Sequence, residues 1–235
     1  HQWFCKEGTD QEYYAEYKKR AWQFLLDLGF KEEHLRFHDH DKLAHYAKAA
    51  CDIQYDFPMG WSELNGIHNR TDYDLSRHQE YSGKSMTYVD PVTQERYIPY
   101  VIEYSIGADR LMLATLSEAY DEETLENGEV RNVMRFHPAI AAYKAAVLPL
   151  QKGLAPQAKE LLQKLKKRFL VTYDEAGSIG KRYRRQDEIG TPYCLTVDFD
   201  TLQDGTVTVR DRDTMEQVRM TADEVVAFLA EKCAF

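Results

Sequence analysis

The chain has 235 residues, of which 43% are hydrophobic and 29% are charged, and its formal net charge at pH 7 is −9. This length allows two hydrophobic cores, and the acidic balance argues against nucleic-acid binding by the surface as a whole. No apolar run is long enough to cross a bilayer, so no membrane partner is expected. The four cysteines are far apart and form no CxxC pair, which predicts reduced thiols in a cytoplasmic protein.

The first half of the sequence predicts helices and strands in alternation. Thr9 and Glu12 form a capping-box pattern, and the apolar spacing that follows predicts a helix from about Asp10 to Leu28, which Gly29 ends. The other elements of this half are predicted as strands at 35–40, 51–57 and 61–70, extended chain with one turn at 88–105, and helices at 41–50 and 108–120.

The acidic stretch from Asp121 to Asn132 has few apolar residues and an Asn-Gly pair, so we predict a surface loop or linker there. Its position sets the predicted domains at residues 1–136 and 137–235. The second domain is predicted to be mixed α/β, with residues 175–193 as a glycine-containing loop and a capping box at Thr221 and Glu224 before the last helix. Its strands are predicted at 145–150, 170–174, 193–200, 206–213 and 216–220, and its helices at 156–169 and 225–232.

A histidine-rich stretch is the first candidate site. His38, His40 and His45, with Asp39 and Asp41, are residue types that bind metals, and alternate residues on a strand share a face. Their spacing matches no standard zinc pattern, and no cysteine lies nearby. Polar surface residues and helix caps are therefore the favoured interpretation.

Charged residues inside apolar stretches give two further candidates. Glu63 could hold an ammonium group, and Arg70 could hold a carboxylate or a phosphate, although a structural ion-pair network explains them equally well. Glu103 lies in an apolar strand, and Arg110 lies just inside the helix that follows Gly107. Arg110 there could bind a phosphate and Glu103 a metal or a sugar hydroxyl, or the two could simply pair with each other.

The segment from Glu175 to Tyr193 combines cations with an aromatic residue. Lys181, Arg182, Arg184 and Arg185 flank Tyr183, a composition that suits RNA phosphates and unpaired bases. A solvated, charged loop is the alternative.

Taken together, these stretches resemble the C-terminal half of bacterial glycyl-tRNA synthetases of the dimeric class II type, and the similarity runs through nearly all of the chain. The fold implied is part of an antiparallel class II catalytic sheet with flanking helices, followed by a mixed-sheet α/β anticodon-binding domain. The stretches that carry the resemblance are "GWSELNGIHNRTDYDL", "YVIEYSIGADR", "FHPAIAAYKAAVLPL", "GSIGKRYRRQDEIGTPYCLTVDFDT" and "TVTVRDRDTMEQVRM".

The resemblance implies specific roles within a glycine–tRNA ligase. The third class II signature motif falls at residues 101–116, where Arg110 would hold ATP and Glu103 would meet ATP through Mg²⁺. Glu63 would bind the glycine ammonium group, with Ser105 beside the amino-acid pocket and Arg70 near it. No protein nucleophile is implied, and Tyr104 stands where the motif usually has proline. The residues expected to contact tRNA(Gly) are Lys181, Arg182, Arg184, Arg185, Arg210 and Arg212.

The family's first and second motifs are not visible in the sequence, which starts without methionine. We therefore expect a piece of a homodimeric parent enzyme that is inactive, or nearly so, on its own. A non-catalytic tRNA-binding fragment and another class II synthetase, such as the prolyl type, are the alternatives.

Overall fold

The computed structural model describes all 235 residues and divides them into two compact units, His1–Ser117 and Glu118–Phe235. The first unit contains a five-stranded antiparallel sheet with strand order β1-β7-β4-β3-β2, together with a small hairpin of β5 and β6. Its elements are β1 (Gln2–Cys5), α1 (Asp10–Asp27), β2 (Leu35–Asp39), β3 (Ala49–Phe57), β4 (Gly60–Asn69), α2 (Tyr73–Ser82), β5 (Tyr88–Val89), β6 (Arg96–Tyr97), β7 (Tyr100–Ile106) and α3 (Ala108–Ala119), whose last two residues belong to the second unit.

One face of this sheet forms the hydrophobic core under α1. Helix α1 packs against β4 and β7 and buries one stripe of side chains at helical spacing. The strands meet it with alternate residues, as period-two patterning requires, including Ile53, Ile67 and Ile102, all at 0% exposure. The residues between them, which are mostly polar, therefore point to the opposite face of the sheet.

A β-bulge in β4 changes which residue faces the core. Ile53 pairs with Asn65, but the next residue of β3, Gln54, pairs with Glu63, so Leu64 is the extra residue. Leu64 enters the core at 1% exposure, whereas the Glu63 side chain is 53% exposed. Without the bulge, Glu63 would have the orientation of Asn65 and Ile67, toward the core.

Two local predictions for this unit were wrong, and one helix was missed. Residues 41–50 form no helix, and Ala49 and Ala50 instead pair with β4 as the first residues of β3. Helix α2 was not predicted. Thr9 precedes α1 but does not cap it with its side chain, since its hydroxyl donates to the Lys6 carbonyl at 2.8 Å.

The second unit is built on a mixed sheet with strand order β11-β10-β12-β13-β14, in which β10 runs parallel to β11 and β12 and the remaining pairs are antiparallel. The antiparallel sheet followed by a mixed α/β sheet confirms the predicted fold class. The elements are β8 (Tyr120–Thr124), β9 (Val130–Met134), β10 (Ala145–Pro149), α4 (Ala155–Leu165), β11 (Val171–Tyr173), α5 (Ile179–Glu188), β12 (Tyr193–Val197), α6 (Thr201–Asp204), β13 (Thr206–Asp211), β14 (Gln217–Thr221) and α7 (Ala222–Lys232).

The acidic stretch predicted as a loop or linker is the hairpin of β8 and β9, and it belongs to the second unit. Arg131 of β9 is 1% exposed and donates to Asp187 of α5 at 2.9 Å. Arg210 of β13 donates to the same carboxylate at 3.0 and 3.2 Å. This buried pairing explains why the boundary lies at 117/118 rather than at the predicted 136/137.

The predicted loop at 175–193 is largely helix α5. Ser178 caps its N-terminus by accepting from the Lys181 backbone N–H, and Gly190 follows its end with a positive φ of 78°. The capping box at Thr221 and Glu224 is confirmed before α7. None of the helices in the structure is long and apolar enough to cross a membrane.

We expect the Asp187→Asn substitution to loosen the hairpin, because two buried guanidinium groups would lose their shared anion. Breaking a buried ion pair costs about 3–5 kcal/mol. Hydrogen exchange should therefore show faster exchange of the amides of β8 and β9 in this variant. Asp200→Asn, at an exposed carboxylate of the same unit, is the control and should leave this exchange unchanged.

Candidate functional site

The polar face of the first sheet brings together most of the site residues predicted in the first unit. In the pairing of β4 with β7, Gly66 lies opposite Ser105 and His68 lies opposite Glu103. Paired residues of antiparallel strands point to the same face, so these four share the face away from α1. Glu63 reaches this face through the bulge.

Arg70 is fixed in place by three neighbours. Its guanidinium donates to Asp74 of α2 at 2.6 and 3.2 Å and to Glu103 at 3.4 Å, and it lies 4.3 Å from the centre of the Tyr46 ring. Fork-shaped donation and stacking are geometries that arginine provides and lysine does not. Arg70 thus holds Glu103, with one guanidinium face on an aromatic ring.

Arg110 lies beside Glu63 and not beside Glu103. It donates to the Glu63 backbone carbonyl at 2.8 Å, and its guanidinium is 3.8 Å from the Glu63 carboxylate. The alternative that Glu103 simply pairs with Arg110 is therefore wrong. With side-chain exposures of 48% and 53%, Arg110 and Glu63 are both accessible to a ligand.

His68 lies on the same face, opposite Glu103 in the pairing of β4 with β7. Burial lowers its pKa, although the nearby carboxylates of Glu103 and Asp52 oppose that shift. Its Nδ1 atom is buried and has no hydrogen-bond partner. The imidazole is therefore neutral at physiological pH, and one of its nitrogens is unsatisfied.

Two histidines of the histidine-rich stretch bond to partners within the protein. His40 bonds to the Asp52 carboxylate at 2.8 Å, and His45 bonds to the Tyr73 hydroxyl at 3.0 Å. No group of three or more histidine, cysteine, aspartate or glutamate side chains in the structure is arranged to hold a metal ion. The polar-surface interpretation agrees with these contacts.

From the sequence we did not identify three residues of this face, Asp52, His68 and Tyr46. Asp52 and His68 follow the strand alternation, so the face they occupy could have been derived from the period-two pattern of β3 and β4. Tyr46 lies in an irregular segment, and no sequence pattern indicates its stacking on Arg70.

In the second unit, half of the predicted tRNA contacts are internal. Arg182 donates to the carbonyls of Pro149 and Gly177, Arg210 binds Asp187, and Arg212 binds Asp213 and the carbonyls of Gly190 and Phe136. These three arginines are 2–5% exposed. Their guanidinium groups stabilise the domain, which corrects the expectation that they face tRNA phosphates.

The remaining three predicted cations lie at the surface of α5. Lys181 is exposed. Arg184 pairs with Glu129 at 2.6 Å and Arg185 pairs with Asp174 at 2.5 Å, yet their side chains are 40% and 43% exposed. The Arg184–Glu129 pair is a surface pair that contributes little stability, so Arg184 can exchange partners at low energetic cost. Arg185 is held more firmly, because Asp174 is only 17% exposed and Arg185 also donates to the Ala176 carbonyl.

Comparison with known proteins agrees with this division of the chain. Residues 144–232 match the family model described as "Anticodon binding domain". The whole chain is 59% identical, over 236 aligned residues, to a glycine--tRNA ligase from Clostridium kluyveri, of which it covers 51%. It is 58% identical to a glycine--tRNA ligase from Geobacillus kaustophilus, with the same coverage. The chain is homologous to part of glycine--tRNA ligase.

The chain spans about half the length of these curated relatives, a share that is consistent with the predicted C-terminal portion. A solved structure, the RNA binding domain of threonyl-tRNA synthetase from Cryptosporidium parvum Iowa II, covers 98% of this chain with a TM-score of 0.72. This chain covers 62% of that structure at 17% identity, so the match supports the fold alone.

Because His68 is neutral in the folded chain, we predict that the free energy of unfolding of the first unit depends on pH. Because its pKa in the folded chain is below the ordinary value of 6.5, the unfolded chain binds more protons between the two values. The stability contributed by neutral His68 is thus present above pH 6.5 and is lost as the pH falls through its lowered pKa.

Urea unfolding followed by tryptophan fluorescence measures this effect in the first unit, since Trp3, Trp22 and Trp61 all lie there. The loss of stability between pH 7 and pH 5 should be smaller in His68→Phe than in the unsubstituted chain. His78→Phe, at an exposed histidine of α2, should retain the full loss. Equal losses in the unsubstituted chain and His68→Phe would contradict the prediction.

Proposed function

We propose that this chain supplies part of the aminoacylation site and the anticodon-binding domain of a glycine–tRNA ligase. The observation that carries the proposal is the alignment of the whole chain with glycine--tRNA ligases at 59% identity. The relatives compared here bear the glycyl name, which favours this assignment over a prolyl-type enzyme. A cytoplasmic location and a homodimeric parent enzyme are part of the proposal.

In the first unit, the polar face of the sheet would bind glycine and ATP. The exposed Glu63 carboxylate would bind the glycine ammonium group, with Ser105 and Arg70 at the same pocket. Arg110 would bind ATP phosphates by exchanging its 3.8 Å contact with Glu63 for a stronger charge-assisted bond. Glu103 would face the nucleotide from β7.

Magnesium fits this arrangement as an ion that arrives with ATP. Mg²⁺ keeps several water ligands and commonly uses only one or two carboxylates together with substrate phosphates. The Glu103 carboxylate, 22% exposed on the polar face, would provide such a ligand. When bound, the ion would neutralise phosphate charge.

The proposed chemistry needs no protein nucleophile. The glycine carboxylate attacks the α-phosphorus of ATP, the bond to the pyrophosphate leaving group breaks, and glycyl-adenylate forms. The terminal ribose hydroxyl of tRNA then attacks the glycyl carbonyl and releases AMP. The residues of this chain would act by positioning the reactants and by stabilising charge.

In the second unit, α5 would contact tRNA(Gly). Lys181, Arg184 and Arg185 remain as backbone contacts, since Arg182, Arg210 and Arg212 are buried. A tRNA-binding fragment without catalysis is the second candidate function for the isolated chain, and the match of residues 144–232 to an anticodon-binding model favours it.

A hybrid enzyme tests the catalytic part of the proposal. This chain would replace the matching half of the Clostridium kluyveri glycine--tRNA ligase, and glycine-dependent ATP–pyrophosphate exchange would be measured. We expect exchange in the hybrid, and a loss of roughly 10²-fold or more in kcat/KM with Arg110→Ala or Glu103→Gln, as is typical for removing one charge-stabilising group.

The matched control is Arg77→Ala, which removes an exposed arginine of α2 that pairs with Glu80. It should leave exchange within about twofold of the unsubstituted hybrid, since surface pairs contribute little. Unchanged exchange in both Arg110→Ala and Glu103→Gln would contradict the assigned roles.

The tRNA contacts are tested with the 235-residue chain itself. The triple variant Lys181→Ala, Arg184→Ala, Arg185→Ala should weaken tRNA(Gly) binding and reduce the slope of log K against log salt by about two to three, since each phosphate contact contributes about 0.7–0.9. Filter binding between 50 and 200 mM salt measures both quantities.

A triple variant in the first unit, Lys19→Ala, Lys42→Ala, Lys84→Ala, removes the same charge from three exposed lysines and is the control. It should change the slope much less. Equal slopes in the two triple variants would assign the effect to net charge and overturn the contact assignment.

A further inference from the structure

On the polar face, the ring of His68 lies close to the position that a side chain of residue 66 would occupy, and residue 66 is glycine. A Cβ atom added at Gly66 would lie 2.8 Å from Cε1 of His68 and 3.4 Å from its Nδ1. Real Cβ contacts are essentially never as short as 2.8 Å, so His68 can adopt this position only because residue 66 is glycine. The imidazole edge fills the space that a side chain at residue 66 would occupy.

The position of this ring carries an energetic cost. Its Nδ1 is buried without a partner, and an unsatisfied buried polar atom is destabilising. A glycine inside a strand is also less favourable than alanine, because it loses more conformational freedom on folding. Local costs of this kind concentrate at functional sites, where a residue is selected for what it does to a ligand.

The filled space lies next to Ser105. A Cβ at Gly66 would also lie 3.5 Å from the Ser105 hydroxyl, and Gly66 and Ser105 are direct partners across β4 and β7. The ring of His68 therefore occupies the floor of the face beside the serine assigned to the amino-acid pocket.

We propose that His68 is a specificity-determining residue that excludes amino acids larger than glycine by filling the volume above Gly66. The inference rests on the proposed function, because it assigns the substrate of this face to glycine. The ring acts through its volume. A neutral imidazole suits this role, since it adds no charge that would repel the glycine ammonium group.

The alternative substrate that tests the idea is alanine, which differs from glycine by one methyl group. Discrimination of one methylene in a pocket amounts to about 10–200-fold in kcat/KM. Replacing His68 with alanine removes the ring and leaves room for that methyl group.

The experiment uses the Clostridium kluyveri hybrid and measures ATP–pyrophosphate exchange with glycine and with alanine as separate substrates. In His68→Ala, the ratio of kcat/KM for glycine over alanine should fall at least tenfold. His68→Phe, which restores ring volume without nitrogens, should retain the original ratio. Adding Gly66→Ala to His68→Ala refills the space with a methyl group and should recover part of the discrimination.

The control variant is His38→Ala, at an exposed histidine of β2, which should leave the ratio unchanged. An unchanged ratio in His68→Ala, with glycine exchange still measurable, overturns the specificity role alone. A ratio that falls equally in His68→Ala and His68→Phe also overturns it, because the ring nitrogens and not its volume would then be responsible. Absence of glycine-dependent exchange in the unsubstituted hybrid overturns the proposed function itself.

Discussion

The antiparallel pairing of β4 with β7 is the constraint on which the candidate site depends. Its register places Gly66 opposite Ser105 and His68 opposite Glu103. A slip of β4 by one residue would turn Gly66 and His68 toward α1 and would expose Ile67 instead. Burial of the isoleucines therefore stabilises the same register that assembles the polar face, so the hydrophobic core and the site are specified by a single pairing.

The charges on this face are already partly neutralised in the absence of ligand. Arg70 holds Glu103 and Arg110 contacts Glu63, so each proposed ligand-binding group has a partner of opposite charge. Arg70 is further held by Asp74 and Tyr46, whereas Arg110 is half exposed and lies 3.8 Å from its carboxylate. Arg110 is therefore the less constrained of the two guanidinium groups, and Glu103 is held by both Arg70 and the Gln2 amide.

Residue patterns predicted the main strands because hydrophobic alternation reflects burial directly, whereas the antiparallel class of the first sheet came from the resemblance. They did not predict the hairpin at 120–134, since its stability comes from the buried Arg131–Asp187 contact, which joins residues far apart in sequence. They also could not separate Arg184 and Arg185 from Arg182, because the segment was predicted as a loop, and a loop has no periodic pattern that assigns a side chain to a buried face. The functional roles on the polar face came from the resemblance to glycyl-tRNA synthetases. The close approach of the His68 ring to Gly66 could not be predicted from the sequence, because it depends on the side-chain position in the folded protein.

Glycine is a difficult substrate to select because it offers only an ammonium group, a carboxylate and no side chain. Contacts to those two charged groups are available to every amino acid, so they bind glycine without distinguishing it. Discrimination must then come from volume that is denied to a larger substrate. A bulky side chain on a β-strand meets this need better than one on a loop, because the strand register fixes how far the side chain extends into the pocket. On this face His68 has that position: its backbone is set by β4, its ring lies over a residue without a Cβ, and the neighbouring Ser105 is exposed.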